Sequence, residues 1–445
     1  MKPENKIHFS DYISFVDFIA ACVIVDAYSI NHHMSRRMAS NFTLRNTDFA
    51  AEFARFVNFI GASELHEAVS RVAVKLAPLA PSLLALYLDR YFFHVYCQTI
   101  ADGPIAFQLN VSDANAIRVA SFVAGINRMK SCLSARAASR FRSNVLGSLR
   151  PDRDIRHLEH EVRTFVHLGQ KKVATTLADL EQLGKYDMFC KLDGHVFEVE
   201  CKTVTEDTGE QIKTDLHVSL SELCRGALES AVNPAASGVF VLTFAKSPSL
   251  CRELHAALRN GLTSALPLRS DDFELTFTAK SEWGSSTPSE TVRRDLEVIS
   301  HKYSAWKFGD RVLGLALLPH KPSKLAQKII SSLKYAADQC SGQSPSLLWL
   351  HLIGHAEDEF LEVAQFSLKG EGAGLNAIVA NVLHPRASPT DRSHVHKIRF
   401  SAEPADITQK PVLDGDLMIR KANSLSGLCY DVPNPFCRFT LDVDA

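Results

Sequence analysis

Hydrophobic and polar positions repeat with one spacing in the first third of the chain and with another spacing after it. Up to about residue 150, apolar residues recur three and four positions apart, the spacing of helices that bury one face. The pattern predicts helices over Phe49–Ile60, Ser63–Leu76, Pro81–Ile100 and Asp113–Met129. Residues 1–150 are therefore expected to form an α-helical domain, with a sensor or nucleic-acid-binding role.

The apolar run Ile13–Ala27 is the early segment that most resembles a membrane or export signal. It falls short of the roughly 18 apolar residues that a spanning helix needs, and Asp17 interrupts it. Glu4 stands ahead of it, where a signal peptide would carry basic residues. We expect a buried helix here and no membrane partner.

After residue 150, helical spacing alternates with short runs of β-forming residues, which predicts an α+β or α/β fold for 151–445. The predicted helices are Ile155–Leu168, Gln211–Val232, Ser249–Leu262, Thr291–Tyr303 and Lys324–Gln339. The predicted strands are Val173–Leu180, Tyr186–Leu192, His195–Val204, Gly238–Phe244, Phe273–Thr278, Val312–Leu318, Leu347–Ile353, Leu375–Leu383 and His396–Phe400.

Two of these strands are joined by Asp193-Gly194, a pair typical of a two-residue hairpin turn. Such a turn sets Leu192 opposite His195, and Asp187 then lies directly opposite Glu200. Residues opposite each other on antiparallel strands have Cβ atoms about 4.5–5.5 Å apart. The two carboxylates are therefore expected to be neighbours.

The same register separates the hairpin into an apolar face and a polar face. The apolar face carries Tyr186, Met188, Cys190, Leu192, Phe197, Val199 and Cys201. The polar face carries Asp187, Lys191, Glu198, Glu200 and Lys202, together with Phe189 and Val196. A slip by one residue would exchange the faces, so the assignment depends on the two-residue turn.

The polar face has the chemistry of a divalent-cation site. Two opposed carboxylates repel each other unless a cation lies between them, and oxygen ligands suit Mg²⁺ or Mn²⁺. The Cys201 carbonyl is a candidate further ligand to such a metal, and Glu198 either binds a second metal or is solvated. Lys202 can orient an attacking water or stabilise a charged transition state.

An Asp on one strand and Glu-x-Lys on the next, after a helix that closes at Leu168-Gly169, resembles the PD-(D/E)XK nuclease superfamily. The resemblance implies a restriction-endonuclease-like core over residues 155–245, in the order helix, three-stranded hairpin sheet, helix and strand. It implies Mg²⁺ held by Asp187 and Glu200, and Lys202 as the catalytic lysine. A further catalytic carboxylate on the first helix would be Glu159, or Glu161 as the alternative.

A formal charge of -1 excludes a basic field over the whole molecule, so any nucleic-acid site must be local. Residues 115–175 hold 12 Lys or Arg residues against four acidic ones. The predicted phosphate-binding residues are Arg128, Lys130, Arg136, Arg140, Arg142, Arg150, Arg153, Arg156, Lys171 and Lys172. Without the superfamily resemblance, a solvated helix face would explain such a run better.

The resulting functional prediction is a metal-dependent nuclease with a role in phage defence or restriction. The resemblance favours DNA over RNA, and a homodimer would suit a site that cuts one strand. The 10 Cys residues form no C-x-x-C pair, which is typical of thiols in a reducing cytoplasm. Two alternatives stay open: a catalytically inactive scaffold or DNA clamp, and an enzyme unrelated to nucleic acid.

Overall fold

The structure, a computed structural model, describes residues 43–45, 49–101, 114–170, 173–192, 195–229, 236–248, 252–264, 267–341, 344, 346–353, 398–402 and 440–442. The predicted helix Ile13–Ala27, the predicted strand Leu375–Leu383, the turn pair Asp193-Gly194 and the two lysines Lys171 and Lys172 lie outside these ranges. The described residues form two compact units. The first contains those up to Ala77, from Leu88 to Thr205 and from Ile329 onward; the second contains 78–87 and 206–328.

The described elements mix helices and strands throughout, which confirms a mixed α+β fold. In chain order the first are β1 (Thr43–Arg45), α1 (Phe49–Ile60), α2 (Ala62–Leu76), α3 (Pro81–Leu88), α4 (Phe92–Ala101), α5 (Ala114–Ser131), α6 (Ala135–Ser148), α7 (Arg156–Gln170), β2 (Ala174–Leu177), α8 (Ala178–Glu181), β3 (Met188–Leu192) and β4 (His195–Val204). The others are α9 (Thr214–Glu229), β5 (Gly238–Phe244), α10 (Arg252–Ser264), β6 (Leu268–Arg269), β7 (Phe273–Ala279), α11 (Ser289–Ile299), β8 (Tyr303–Phe308), β9 (Arg311–Leu318), α12 (Leu325–Gln339), β10 (Ser346–Leu352), β11 (Ile398–Ala402) and β12 (Thr440–Asp442).

The helices of the first unit and its hairpin share one hydrophobic core. Phe53 of α1, Phe122 of α5 and Phe197 of β4 belong to it, each at most 2% exposed. Helices α5 and α7 approach closely at Gly125, where an added Cβ would lie 2.3 Å from Val162 Cγ1. Residues from both sides of position 150 therefore bury each other, and a separate domain over 1–150 stays a prediction.

The predicted single helix Pro81–Ile100 is divided in the structure by a turn at residues 89–91. Asp89 lies in this turn, and its carboxylate accepts hydrogen bonds from Arg118 and Arg156 at 2.6 and 2.8 Å. Helical spacing continues on both sides of the turn, so the pattern of apolar residues alone did not reveal the break.

The sheet of the first unit has the strand order β11-β10-β4-β3-β2. Strands β3 and β4 pair antiparallel from Leu192↔His195 to Met188↔Val199, which confirms the predicted hairpin register. The predicted apolar face is confirmed as well: Met188, Cys190, Phe197 and Val199 are all fully buried. The other neighbour of β4 is β10, which runs parallel to it.

The prediction that Gly238–Phe244 completes the hairpin core is wrong. This strand, β5, lies in a second five-stranded sheet of order β6-β7-β5-β9-β8, where it pairs with β7 and β9. The place beside β4 is taken by β10, more than 140 residues further along the chain. Most of the second unit, with a core that includes Leu242 and Leu315, thus lies along the chain between the sequences of these two paired strands.

No helix in the described part of the chain combines the length and apolar character needed to cross a bilayer.

Candidate active site

Asp187, the residue just before β3, and Glu200 in the middle of β4 lie together, as the hairpin register predicts. The Asp187 amide donates to Glu200 Oε2 at 3.1 Å, and the Cys201 amide donates to Asp187 Oδ2 at 2.6 Å. The backbone on each side of the hairpin thus donates a hydrogen bond to the carboxylate on the other side. The pair is positioned by main-chain geometry as well as by side-chain packing.

Burial and like charge both act on these two carboxylates. The pKa of Asp187 is raised well above its ordinary value by burial and by the charges of Glu161 and Glu200, against a lowering hydrogen bond from the Cys201 amide. The pKa of Glu200 is also raised, because the burial of its side chain outweighs the lowering effect of Lys202. Groups perturbed in this way by burial and by neighbouring charge are concentrated at functional sites.

Lys202 supplies the positive charge of this cluster. Its Nζ donates to Glu200 Oε1 at 2.5 Å and to Gln339 Oε1 at 2.8 Å, and its side chain is 23% exposed. Burial lowers the pKa of Lys202, but the hydrogen bond and charge of Glu200 outweigh it, so the pKa is raised. Lys202 is therefore a protonated ammonium at neutral pH.

Gln339, the last residue of α12, holds this lysine in place. Its Oε1 accepts from Lys202 Nζ, while its Nε2 donates to the Lys185 carbonyl at 3.0 Å. The ring of Tyr335, one turn earlier, has its centroid 5.3 Å from the same Nζ. No local sequence signal links α12 to the hairpin, so sequence reasoning missed both residues.

Glu161 of α7 is the helix carboxylate that acts on the Asp187 cluster. Its pKa is raised to about 8 by burial and by the charges of Asp179 and Glu200, while Lys202 lowers it. Its own charge in turn raises the pKa of Asp187. Asp179 was not predicted as a site residue. The pattern predicted a strand over Val173–Leu180, whereas in the structure the strand ends at Leu177 and Asp179 lies in α8.

Glu159, the helix carboxylate that the sequence pattern favours over Glu161, lies in a different environment. It is 1% exposed and accepts from Arg118 Nε at 2.8 Å and Nη2 at 2.6 Å, and Arg163 Nη2 lies 2.7 Å from its Oε1. Burial raises the pKa of Glu159, but the two guanidinium groups outweigh it and the pKa is lowered. The structure therefore brings Glu161, and not Glu159, to the Asp187 cluster.

Glu198 was expected either to bind a second metal or to be solvated; it is buried and not solvated, and its binding of a metal stays a prediction. Its side chain is 1% exposed, and it accepts hydrogen bonds from the Ser341 amide at 2.7 Å and from the Ser341 hydroxyl. Ser341 follows α12 in the chain. Glu198 thus holds the end of the helix that carries Gln339 against the hairpin sheet.

Cys201 contributes its backbone amide to Asp187, while its side chain is buried. Burial and the charge of Asp187 raise the pKa of the thiol well above its ordinary value, which keeps the thiol protonated. A protonated thiol is a poor metal ligand. The Cys201 carbonyl stays a predicted ligand.

The side chains present match Mg²⁺ or Mn²⁺ in donor type but are not arranged around a metal position. Asp187, Glu200 and Glu161 offer carboxylate oxygens whose mutual repulsion a divalent cation would relieve. Within the described ranges, however, no group of three or more His, Cys, Asp or Glu residues is placed to hold a metal ion.

The predicted phosphate-binding residues divide by exposure. Lys130, Arg136, Arg150 and Arg153 are exposed, and Arg128 is partly exposed. Arg140 donates to the Leu180 carbonyl at 3.0 Å, and Arg142 binds Glu64 at 2.6 Å. Lys171 and Lys172 lie outside the described residues.

Arg156 has a position that the basic run did not predict. It is 2% exposed, with Asp154 at 2.6 Å and Asp89 at 2.8 Å from its guanidinium nitrogens. Two acidic partners compensate the cost of burying this charge. Arg156 thus lies in an internal ion-pair network and not at the surface that a nucleic acid would contact.

Comparison with protein-family models, with curated proteins and with solved structures finds no match for this chain.

Proposed function

We propose that the chain is a metal-dependent nuclease whose active site is the cluster of Asp187, Glu200, Lys202 and Glu161. The observation that carries the proposal is the contact of Asp187 and Glu200 across the hairpin, with Lys202 bound to Glu200 at 2.5 Å. Carboxylates with raised pKa values beside a protonated lysine form a site that can accept a cation and a phosphate together.

The reaction is hydrolysis of a phosphodiester, in which water adds a hydroxyl to phosphorus and one P–O ester bond breaks. The products are a phosphate monoester and an alcohol, whose oxygen receives the remaining proton of the water. Lys202 lies where its ammonium can stabilise the charge that develops on the phosphate oxygens. Gln339 holds the Lys202 ammonium in that orientation.

Asp187 and Glu200 are the residues that would hold Mg²⁺ or Mn²⁺, and Glu161 would bind it through water. When bound, such an ion polarises the phosphate and makes a nearby water more acidic. The raised pKa of Glu161, about 8, means that its carboxyl gains and loses a proton near neutral pH, so this residue could exchange a proton with water in the site. This role replaces the one that the sequence pattern assigned to Glu159.

DNA is the proposed substrate class over RNA, and defence against phage or restriction in the cytoplasm is the proposed setting. Both rest on the resemblance of Asp187, Glu200 and Lys202 to the PD-(D/E)XK motif. Exposed Lys130, Arg136, Arg150 and Arg153 provide basic side chains for phosphates. Their contribution should weaken as the salt concentration rises.

A catalytically inactive DNA clamp is the second candidate, and one observation favours it. Among the described residues, no group of three or more His, Cys, Asp or Glu residues is placed to hold a metal ion. A clamp of this kind would bind DNA in EDTA and leave it intact with any metal.

The test is incubation of the purified chain with plasmid, linear and single-stranded DNA in Mg²⁺, Mn²⁺ or EDTA. Lys202→Ala and Asp187→Asn should lower the cleavage rate by about 1,000-fold, as expected for loss of charge stabilisation and of a metal ligand. Lys191→Ala is the matched control, because Lys191 is an exposed lysine of the same hairpin. DNA binding without cleavage would establish the clamp, and the absence of both would refute the proposal.

A further inference from the structure

An exposed aromatic ring stands next to the lysine of the proposed site. The side chain of Tyr335 is 64% exposed, and its ring centroid lies 5.3 Å from Lys202 Nζ. Tyr87 and Tyr91, by contrast, are 2% and 1% exposed, and the hydroxyl of each donates a hydrogen bond to an acceptor. Tyr335 is thus a tyrosine whose ring faces solvent in the described structure.

Isolated exposed apolar side chains are common and by themselves indicate nothing. Tyr335 differs from the others, such as Val74 and Val298, in its neighbour. Lys202 contacts both Tyr335 and Gln339, two residues one turn apart on α12. The same helical turn therefore orients the proposed catalytic ammonium and presents an aromatic face beside it.

The ring and the ammonium are close enough to contact neighbouring parts of one nucleic-acid strand. An unstacked base is free to turn away from its neighbours and pack on a protein ring. A phosphate at Lys202 therefore places a base of the same or the adjacent nucleotide within reach of the ring, 5.3 Å from Nζ.

We propose that Tyr335 is a stacking platform for an unpaired base, so that the site acts on single-stranded DNA or on nucleotides unpaired at the scissile phosphate. Bases inside a duplex have both faces stacked on neighbours, and only an unstacked base can pack on a protein ring. The inference rests on the proposed nuclease function and adds the strandedness of its substrate.

The test measures binding and not cleavage, so it is independent of the proposed chemistry. Fluorescein-labelled oligothymidylate and a blunt duplex of equal length are titrated with the wild-type chain, Tyr335→Ala, Tyr335→Phe and Tyr335→Trp, in EDTA and in Ca²⁺. Val74→Ala is the matched control, since it trims a side chain of similar exposure, 71%, on α2.

We expect Tyr335→Ala to weaken oligothymidylate binding about 10-fold and to leave duplex binding unchanged, because only the single strand offers a base to the ring. Tyr335→Phe and Val74→Ala should bind as the wild type does. The indole of Tyr335→Trp should lose fluorescence when oligothymidylate is added and keep it when duplex is added.

Three results would overturn the inference: unchanged oligothymidylate binding by Tyr335→Ala, equal loss for the single strand and the duplex, or no binding of either by the wild type. Parallel cleavage assays separate this failure from that of the nuclease proposal. If Tyr335→Ala cleaves single-stranded DNA with metal as fast as the wild type does, the stacking proposal is refuted and the nuclease proposal stands. A chain that neither binds nor cuts any DNA refutes both.

Discussion

Helix α7 carries two glutamates two residues apart, and their surroundings are opposite in charge. Glu159 lies between the guanidinium groups of Arg118 and Arg163, and its pKa is lowered. Glu161 lies among Asp179, Asp187 and Glu200, and its pKa is raised to about 8. One helix therefore presents an ionised carboxylate paired with arginines on one side, and on the other a carboxyl that neighbouring acids hold toward its protonated form.

The difference shows what each side of α7 contributes. Paired charges inside the helical core, with Asp89 and Asp154 as further acids, keep buried arginines neutralised. Clustered acids at the hairpin cost stability unless a cation or a proton joins them, and such frustrated clusters are typical of functional sites. Substitutions at the two glutamates should consequently separate stability from activity.

The largest expected effect is on stability, from Glu159→Ala. This change leaves two buried guanidinium groups without the carboxylate that they share, and should lower the free energy of unfolding by about 3–5 kcal/mol. Urea denaturation followed by circular dichroism measures it. Glu67→Ala breaks the exposed Glu67–Arg71 pair and should cost about 0.5 kcal/mol or less. Equal losses in the two variants would show that the buried network is not stabilising.

The next effect is on activity, from Glu161→Gln. The amide keeps the size of the side chain but cannot take up a proton, so the cleavage rate should fall about 100-fold, or about 2.7 kcal/mol in activation free energy. Initial rates on the best DNA substrate in Mg²⁺ give the measurement. Glu161→Asp, which keeps the carboxylate, should recover part of the rate. Full activity in Glu161→Gln would remove this residue from the proposed mechanism.

The smallest effect is on the pH dependence of stability in the metal-free chain. The pKa of Glu161 is about 8 when folded, against an ordinary 4.5, so the unfolded chain releases this proton first. Stability is therefore greatest below about pH 4.5 for this group and decreases as pH rises toward 8.

In Glu161→Gln, the free energy of unfolding should fall less steeply as pH rises. The change should be partial, because Asp187 and Glu200 also have raised pKa values and contribute to the same fall. Urea midpoints in EDTA at a series of pH values test it. A wild-type curve that coincides with that of the variant over this range would contradict the raised pKa.

Local pattern predicted the hairpin well and the sheet around it poorly. A two-residue turn and strict alternation leave one register that buries Met188, Cys190, Phe197 and Val199, and the structure has that register. Two parallel strands are joined by a crossover connection whose length is not fixed. Nothing in the hairpin sequence therefore indicates that β10 is the parallel partner of β4. The nearer apolar strand β5 was therefore assigned to the wrong sheet.

The choice between Glu159 and Glu161 shows the same limit within one helix. Glu159 shares a helical stripe with Val162 and Val166, and this spacing favours it over Glu161 as the helix carboxylate. In the structure Glu159, Val162 and Val166 line a common small cavity with Arg118 and Phe122 of α5. An apolar stripe predicts burial, but it does not say which of two neighbouring elements provides the cover.

The sequence by itself determined many of the elements, the hairpin register and the pairing of Asp187 with Glu200, because these depend on interactions between residues close along the chain. Tertiary structure alone decided that Glu161 is the third carboxylate, that Arg156 is buried, and that Gln339 and Tyr335 contact Lys202. These contacts join segments up to 137 residues apart. Their partners are selected by how whole helices pack on the sheet, which no local pattern of hydrophobic and polar residues records.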